Sequence, residues 1–270
     1  MDTQILQWNV RGLLHNLNDI RKLLNKHTSK VLCVQETHLK STQTNFLKQY
    51  AIFRKDRDDA AASSGGVAII VDKGFACKHS NLRTSLEAVA VRAVLFGKLL
   101  TITSIYIPPC YQLSKTQFQS FIDELPPPYI VVGDLNAHNP LWGDARLDVR
   151  GRLIEHFLFS SGACLLNKKE PTYYSTTHNT YSSIDLSIVS STLIPYLEWS
   201  VLKNPFGSDH FPIMLKLTKE DTCMPDFPRW NTNSANWELF REITFLDGDD
   251  IADFNIDNAV AYLTGFIIDA

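Results

Sequence analysis

The chain has 270 residues, of which 44% are hydrophobic and 20% are charged, and its formal net charge is −3. This composition is that of an ordinary globular protein and excludes a largely disordered chain. No apolar run approaches the roughly 18 residues of a membrane-spanning helix, so we expect no membrane contact. The five cysteines are scattered without a CxxC pair, which argues against a zinc or disulfide framework and favours an intracellular protein.

The charge is distributed unevenly along the chain. Residues 1–218 contain 23 basic and 18 acidic side chains, a net charge of +5, whereas residues 219–270 contain 3 and 11, a net charge of −8. We therefore expect a domain over residues 1–218, followed by an acidic and partly helical tail. A mildly basic domain permits a polyanionic substrate, because a basic groove on a nearly neutral body is enough to bind one.

The periodicity of the apolar residues predicts the elements of the first 218 residues. Helical spacing predicts helices that contain residues 17–24, 118–125 and 153–158, and the second must stop at the three prolines of 126–128. Short apolar runs predict strands, in chain order, over 5–8, 31–34, 66–71, 88–95, 99–107, 129–132, 184–189, 197–202 and 211–217. Short strands with a few interspersed helices predict an α/β sandwich of mixed sheets.

Polar side chains repeatedly follow these strand-like runs. In sandwich folds, functional side chains gather where strand ends and loops meet at one edge, so we expect one shared site. The residues at these points are Asn9, Glu36, Tyr106, Asp134 with Asn136, Asp185, and Asp209 with His210. Each of them alone is typical of a capped turn, a packed phenol or a surface loop. Only their occurrence together favours a function.

The carboxylates in this set indicate a divalent metal ion. Hard oxygen ligands suit Mg²⁺, and the sequence offers no cluster of soft ligands. Glu36 and Asp209 are the candidate ligands. Asp185 beside His210 would form a carboxylate–imidazole pair, which fixes the tautomer of the ring and raises its pKa.

The other polar residues fit the transfer of protons. Asp134 and Asn136 lie two positions apart on one face of a strand, where they would orient a water molecule and accept its proton. Tyr106 would donate a hydrogen bond to a departing oxygen. Together with a metal ion, these groups are the parts required for metal-assisted hydrolysis of a phosphodiester.

Six blocks resemble, in the same order, those of the endonuclease/exonuclease/phosphatase superfamily, which has the DNase-I-like fold. The blocks are QWNVRG at 7–12, QETH at 35–38, YIPP at 106–109, GDLNAH at 133–138, SID at 183–185 and SDH at 208–210. The resemblance covers about residues 3–217. It implies a four-layer α/β sandwich, in which two mixed β-sheets pack face to face with helices on the outside.

The resemblance also implies a role for each residue at the strand ends. Glu36 would bind the metal ion, with Asn9 and Asp209 close by. Mg²⁺ would be the ion, with Mn²⁺ as an alternative. The implied catalytic set is His210, Asp134, Asn136, Tyr106 and Asp185.

Within the superfamily, the closer resemblance is to the endonuclease domains of non-LTR (LINE-type) retrotransposons. It is carried by AHNPLWG at 137–143, RGR at 150–152, EPTY at 170–173 and PRWN at 228–231. It implies a hairpin over 174–182 that probes the minor groove of DNA. The candidate DNA contacts are Arg11, Arg146, Arg150, Thr172, His178, Asn179 and Ser208.

The implied function is Mg²⁺-dependent nicking of DNA that leaves a 3′-hydroxyl end. DNA would be the partner, and in a parent element residues 219–270 would begin the region that leads to a reverse transcriptase. A nuclear location is expected because the substrate is DNA. Two alternatives stay open: an abasic-site repair nuclease or other phosphoesterase of the superfamily, and a non-catalytic DNA-binding remnant. The sequence does not indicate an oligomeric state.

Overall fold

The computed structural model describes residues 4–44, 46–57, 64–95 and 98–217, together with Glu238 and Asn258. The chain divides into two units, Met1–Glu220 and Asp221–Ala270, and the fold described below belongs to the first. The predicted acidic tail over 219–270 lies, apart from those two residues, outside the described part. None of the helices described is both long and apolar enough to cross a membrane.

The described elements alternate between strands and a few helices. In chain order they are β1 (Gln4–Asn9), α1 (Leu17–His27), β2 (Val31–Gln35), β3 (Tyr50–Lys55), β4 (Val67–Asp72), β5 (Cys77–Ser80), β6 (Glu87–Leu95), β7 (Lys98–Tyr106), α2 (Lys115–Asp123), β8 (Tyr129–Asp134), α3 (Val149–Ser161), β9 (Ala163–Leu165), β10 (Tyr173–Ser175), β11 (Thr180–Ser182), β12 (Asp185–Ser190), β13 (Leu197–Val201) and β14 (Ile213–Leu217). Short 3₁₀ helices cover Pro140–Trp142 and Ser191–Tyr196.

Two six-stranded sheets make up the body of the fold. The first has the order β13-β14-β1-β2-β4-β3, and the second has the order β5-β6-β7-β8-β12-β9. Each sheet is mixed, since β1 and β2 are parallel, as are β7 and β8, while the neighbouring pairs are antiparallel. Strands β10 and β11 form a separate hairpin.

The hydrophobic residues divide the structure into four layers. Side chains of both sheets, such as Ile5 and Ile69 from the first and Ile102 and Ile130 from the second, share one central core. Helix α1 covers the outer face of the first sheet, and α2 and α3 cover the outer face of the second. The predicted four-layer sandwich is confirmed.

Local sequence signals account for the helix limits. The Ser114 hydroxyl and the Gln117 side chain form a reciprocal capping box at the start of α2. Asp148 caps α3 by accepting a hydrogen bond from the amide of Gly151, and Gly162 ends that helix in the left-handed conformation. The nine predicted strands and three predicted helices are all present. The structure adds β3, β5 and β9, which are partly exposed or only three residues long and lack a clear apolar run.

The strand register brings the polar strand ends to one edge of the sandwich. In the second sheet, Asp134 pairs with Tyr106 on one side and with Asp185 on the other. In the first sheet, Asn9 pairs with Gln35, the last residue of β2. Glu36 follows Gln35 directly in the chain and therefore lies beside Asn9. The predicted site residues therefore meet where the two sheets end together.

Arg150 holds three loops together beneath this edge. It is buried, and its Nη1 donates to the carbonyl oxygens of Ile107, Leu135 and Asn136. Its Nη2 donates to three more carbonyl oxygens, those of Pro108, Pro109 and Tyr111. Since both terminal nitrogens bond to the backbone, we correct the interpretation of Arg150 as a DNA contact. Its place is structural.

We predict that Arg150→Lys destabilises the fold. One ammonium group cannot reach six carbonyl oxygens, and a buried acceptor left without a donor costs about 1–3 kcal/mol. The free energy of unfolding in urea should fall by about 3 kcal/mol or more, whereas Arg152→Lys, on the exposed side of α3, should change it by less than about 0.5 kcal/mol. Equal stability of the two variants would contradict the assignment.

Candidate catalytic and metal site

The polar strand ends line one open cleft of about 910 Å³. Five of the predicted catalytic and metal-binding residues, from distant parts of the chain, line this cleft: Glu36, Asp134, Asn136, Asp209 and His210. Residues of the β10–β11 hairpin line it from the side. The cleft therefore combines a cluster of carboxylates with an adjoining hairpin.

The side-chain amide of Asn9 joins two of these carboxylates. Its Nδ2 donates to Oε1 of Glu36 and to Oδ2 of Asp134, at 2.9 Å in both cases. Glu36 follows β2 and Asp134 ends β8, so this single amide links the two sheets at their common edge. Asn9 is fully buried and its bond to Asp134 is shielded from water, whereas its bond to Glu36 is partly buried.

His210 is paired with Asp185 and faces Asp134. Its Nδ1 lies 2.8 Å from Oδ2 of Asp185, and its Nε2 lies 3.9 Å from Oδ2 of Asp134. Burial disfavours the charged ring, but the neighbouring carboxylates, Asp185 foremost, more than compensate and raise the pKa of His210. Burial, together with the negative charge of Asp185, raises the pKa of Asp134. The pair can therefore donate and accept protons at one point of the cleft.

Two buried glutamines that the sequence analysis did not single out hold Asp185 in place. Nε2 of Gln7 donates to Oδ1 of Asp185 at 2.9 Å and to Oε1 of Gln35 at 3.0 Å. Nε2 of Gln35 donates in turn to Oγ of Ser104 at 2.9 Å. The available signal was a glutamine within or beside a buried apolar strand, because such an amide must find partners.

Thr172 is a second support of Asp185. Its Oγ1 accepts hydrogen bonds from the backbone amides of Ile184 and Asp185, at 3.2 and 3.1 Å. The residue is completely buried. A side chain without exposed surface cannot touch DNA, so we correct the interpretation of Thr172 as a DNA contact to that of a residue that positions the start of β12.

Tyr106 and Asn136 both lie next to Asp134, Tyr106 as its partner on β7 and Asn136 two residues further along the chain. Burial and the negative charges of Glu36 and Asp134 raise the pKa of Tyr106, whose phenol hydrogen-bonds Glu36 and stays neutral. Asn136 is in the left-handed conformation, with φ +47°, and its amide N–H donates to Oδ1 of Asp134 at 3.0 Å. The expectation that Asp134 and Asn136 share a strand face is wrong, because β8 ends at Asp134 and Asn136 lies beyond it, but the backbone turn still brings the amide of Asn136 onto the carboxylate of Asp134.

The oxygen atoms of the cleft fit a divalent cation. Glu36, Asp134 and Asp209 contribute carboxylates, and Oδ1 of Asp209 is buried without a hydrogen-bond partner among the described residues. Hard oxygen donors of this kind suit Mg²⁺. Ligand atoms of Asp134, Asp185 and His210 also lie within 4.8 Å of one another, but Nδ1 of His210 is already bonded to Asp185. The carboxylate set is therefore the better candidate for holding an ion.

The remaining predicted DNA contacts occupy different positions. Arg11 and Arg146 line the cleft, although Arg11 forms an ion pair with Asp209. His178 lies on the connection between β10 and β11, where it lines the cleft, and Asn179 beside it is exposed with φ +50°. Ser208 is turned inward, since its Oγ donates to the carbonyl oxygen of Asn9 at 2.7 Å. The predicted hairpin is confirmed, and Ser208 serves to hold the loop before His210.

We predict that Thr172→Val destabilises the protein and that Thr172→Ser largely does not. Valine has nearly the same shape but leaves two buried amides without an acceptor, each at a cost of about 1–3 kcal/mol. The free energy of unfolding in urea should therefore fall by about 2 kcal/mol or more for valine only. If valine leaves stability unchanged and weakens DNA binding alone, the original interpretation as a DNA contact is the correct one.

A family model and several curated proteins match this chain. Residues 100–214 match the family model described as endonuclease-reverse transcriptase. The chain is 25% identical over 244 residues to the probable RNA-directed DNA polymerase from transposon X-element of Drosophila melanogaster, an alignment that covers 89% of this chain and 27% of the relative. The chain thus spans about a quarter of the length of the curated relatives that it matches.

Solved structures share the fold. The endonuclease domain of TRAS1, a telomere-specific non-LTR retrotransposon, superposes with a TM-score of 0.68 and 19% identity, over 80% of this chain and 98% of that domain. The AP endonuclease LMAP from Leishmania major gives a TM-score of 0.65 at 14% identity, over 80% and 87% of the two chains. The chain has the DNase-I-like fold of these structures, and its resemblance to endonucleases of that fold and to RNA-directed DNA polymerases of transposons is confirmed.

Proposed function

We propose that residues 1–218 form a Mg²⁺-dependent endonuclease that nicks DNA, as the target-site nuclease of a non-LTR retrotransposon. The observation that carries this proposal is the hydrogen-bonded cluster at the shared sheet edge. Asn9 joins the carboxylates of Glu36 and Asp134, and the His210–Asp185 pair faces the second of them. Carboxylates, an amide and an imidazole in one cleft are the groups that phosphodiester hydrolysis requires.

The divalent ion would be held by Glu36, with Asp209 and Asn9 close by, and would supply positive charge to the phosphate. Mg²⁺ is the ion proposed, and Mn²⁺ is the alternative. The protein groups around the ion divide the remaining tasks between proton transfer and charge stabilisation.

Asp134 is the proposed base for the attacking water, which Asn136 helps to orient. Burial in this cleft raises the pKa of Asp134, which makes its carboxylate a better proton acceptor. His210 is the proposed cation beside the phosphate, because its pairing with Asp185 favours the protonated ring. The neutral phenol of Tyr106 would donate to a phosphate or leaving-group oxygen. The product would carry a 3′-hydroxyl end.

We also propose a role for residues 219–270. The curated relatives are named as RNA-directed DNA polymerases, and this chain matches about a quarter of their length. We propose that residues 219–270 begin the region that leads to a reverse transcriptase, and that the protein acts on DNA in the nucleus. The match to a family described as endonuclease-reverse transcriptase favours this function over abasic-site repair.

We predict that the wild-type protein nicks supercoiled plasmid in Mg²⁺ and that EDTA abolishes the reaction. His210→Ala should lower the rate by about 10²–10³-fold, the usual cost of removing a group that stabilises the charge of a transition state. Lys98→Ala is the matched control. Lys98 begins β7 at the end opposite Tyr106, roughly 26 Å along the strand, and should be neutral.

Mapping the nicked ends should give 3′-hydroxyl termini. Full nicking by a folded His210→Ala variant would reject the role assigned to this residue. If a duplex with one abasic site is cleaved far faster than intact DNA, the repair-type alternative is correct. If no Mg²⁺-dependent turnover occurs on any DNA, the domain is a non-catalytic remnant.

A further inference from the structure

A second hydrogen-bonded chain lies in the cleft, next to the proposed catalytic groups. It runs from Asp144 through His138 to Arg146. Nδ1 of His138 lies 2.8 Å from Oδ2 of Asp144, and its Nε2 lies 2.6 Å from Nη2 of Arg146. His138 and Asp144 are buried, with 9% and 7% of their surfaces exposed, whereas Arg146 is exposed.

The chemistry of arginine fixes the direction of this chain. A guanidinium group can only donate hydrogen bonds, so Nε2 of His138 must be the acceptor. The ring proton then lies on Nδ1, where it is donated to the carboxylate of Asp144. His138 is thereby held in one tautomer, with its acceptor nitrogen aimed at Arg146.

Asp144 is itself anchored to the catalytic edge. Its Oδ2 also accepts a hydrogen bond from the backbone amide of Ser183, at 3.2 Å, two residues before Asp185. The hydrogen bonds from Asp144 through His138 therefore connect Arg146 to the segment that carries Asp185, the partner of His210. An exposed arginine normally samples many conformations, and a fixed acceptor reduces the entropy that is lost when it binds a ligand.

Arg146 differs from the other arginine of the cleft. Among the described residues that line the cleft, Arg11 and Arg146 are the arginines, and Arg11 is paired with Asp209. The guanidinium of Arg146 bonds to a neutral ring through Nη2, and its Nη1 and Nε make no hydrogen bond within the described part of the chain. It keeps its full positive charge and donors that face the cleft.

We propose that Arg146 binds a backbone phosphate of the nucleic acid next to the scissile bond, and that His138 and Asp144 position it. The inference rests on the proposed function, since it takes DNA as the substrate. A guanidinium with free donors is suited to phosphate oxygens in geometry and in charge. The contact is to the backbone, so it contributes affinity and register and carries no preference for base sequence.

The test measures the binding of a fluorescein-labelled 20-base-pair duplex in EDTA. Binding is monitored by fluorescence anisotropy at a series of salt concentrations. Loss of one phosphate contact should reduce the slope of log affinity against log salt by about 0.9. Arg146→Ala should show this reduction, with roughly tenfold weaker binding at low salt. Lys98→Ala, which removes a charge at the far end of β7, should keep the wild-type slope.

The positioning role of His138 is tested by replacement with two residues. His138→Gln keeps an acceptor oxygen near the place of Nε2 and should retain most of the affinity, whereas His138→Leu removes the acceptor and should weaken binding about as much as Arg146→Ala. Nitrogen-15 NMR of the wild-type protein should find His138 protonated on Nδ1, and Arg146→Ala should shift the Nε2 signal. A ring protonated on Nε2 would contradict the proposed chain.

Each result separates this inference from the proposed function. Wild-type nicking together with an unchanged salt slope in Arg146→Ala overturns the phosphate contact and leaves the nuclease assignment intact. A reduced slope in a protein that never nicks DNA supports the contact and rejects the nuclease. An unchanged slope with an altered nicking sequence assigns Arg146 to base reading, and no duplex binding by the wild type overturns the inference.

Discussion

The hydrogen bonds from one buried amide to two carboxylates are the interaction on which the site depends. Glu36 directly follows β2 and Asp134 ends β8, which belong to different sheets, and their like charges would repel each other at this separation if nothing lay between them. The amide of Asn9 donates to both and allows them to remain close. Two clustered carboxylates make the electrostatic potential of the cleft negative, which favours the binding of a divalent cation and the protonated form of the His210 ring.

A shell of buried polar residues keeps this cluster in one geometry. Gln7 and Thr172 hold Asp185, which holds His210, and Arg150 ties the loops after β7 and β8 to the start of α3. Such networks are costly when one member is missing, because each buried donor or acceptor then lacks a partner. The precision of the site is therefore inseparable from the stability of the sandwich edge.

The sequence predicted the strong elements and the site better than it predicted these supports. Apolar runs located nine strands, and polar residues after them marked the edge at which the cleft lies, since both signals are local. The roles of Arg150 and Thr172 depend on partners far away in the chain, such as Ile107 for the arginine. A basic residue in a resembling motif looks like a DNA contact until its burial is known, and edge strands such as β3 lack a continuous apolar signal.

The most direct test of the account is a calorimetric titration of Mn²⁺ into the intact protein. The account predicts saturable binding by the wild type and its loss in Glu36→Gln, with little change in the free energy of unfolding, because glutamine keeps an oxygen for the hydrogen bond from Asn9. Equal Mn²⁺ binding by wild type and Glu36→Gln would contradict a metal-dependent site at this edge.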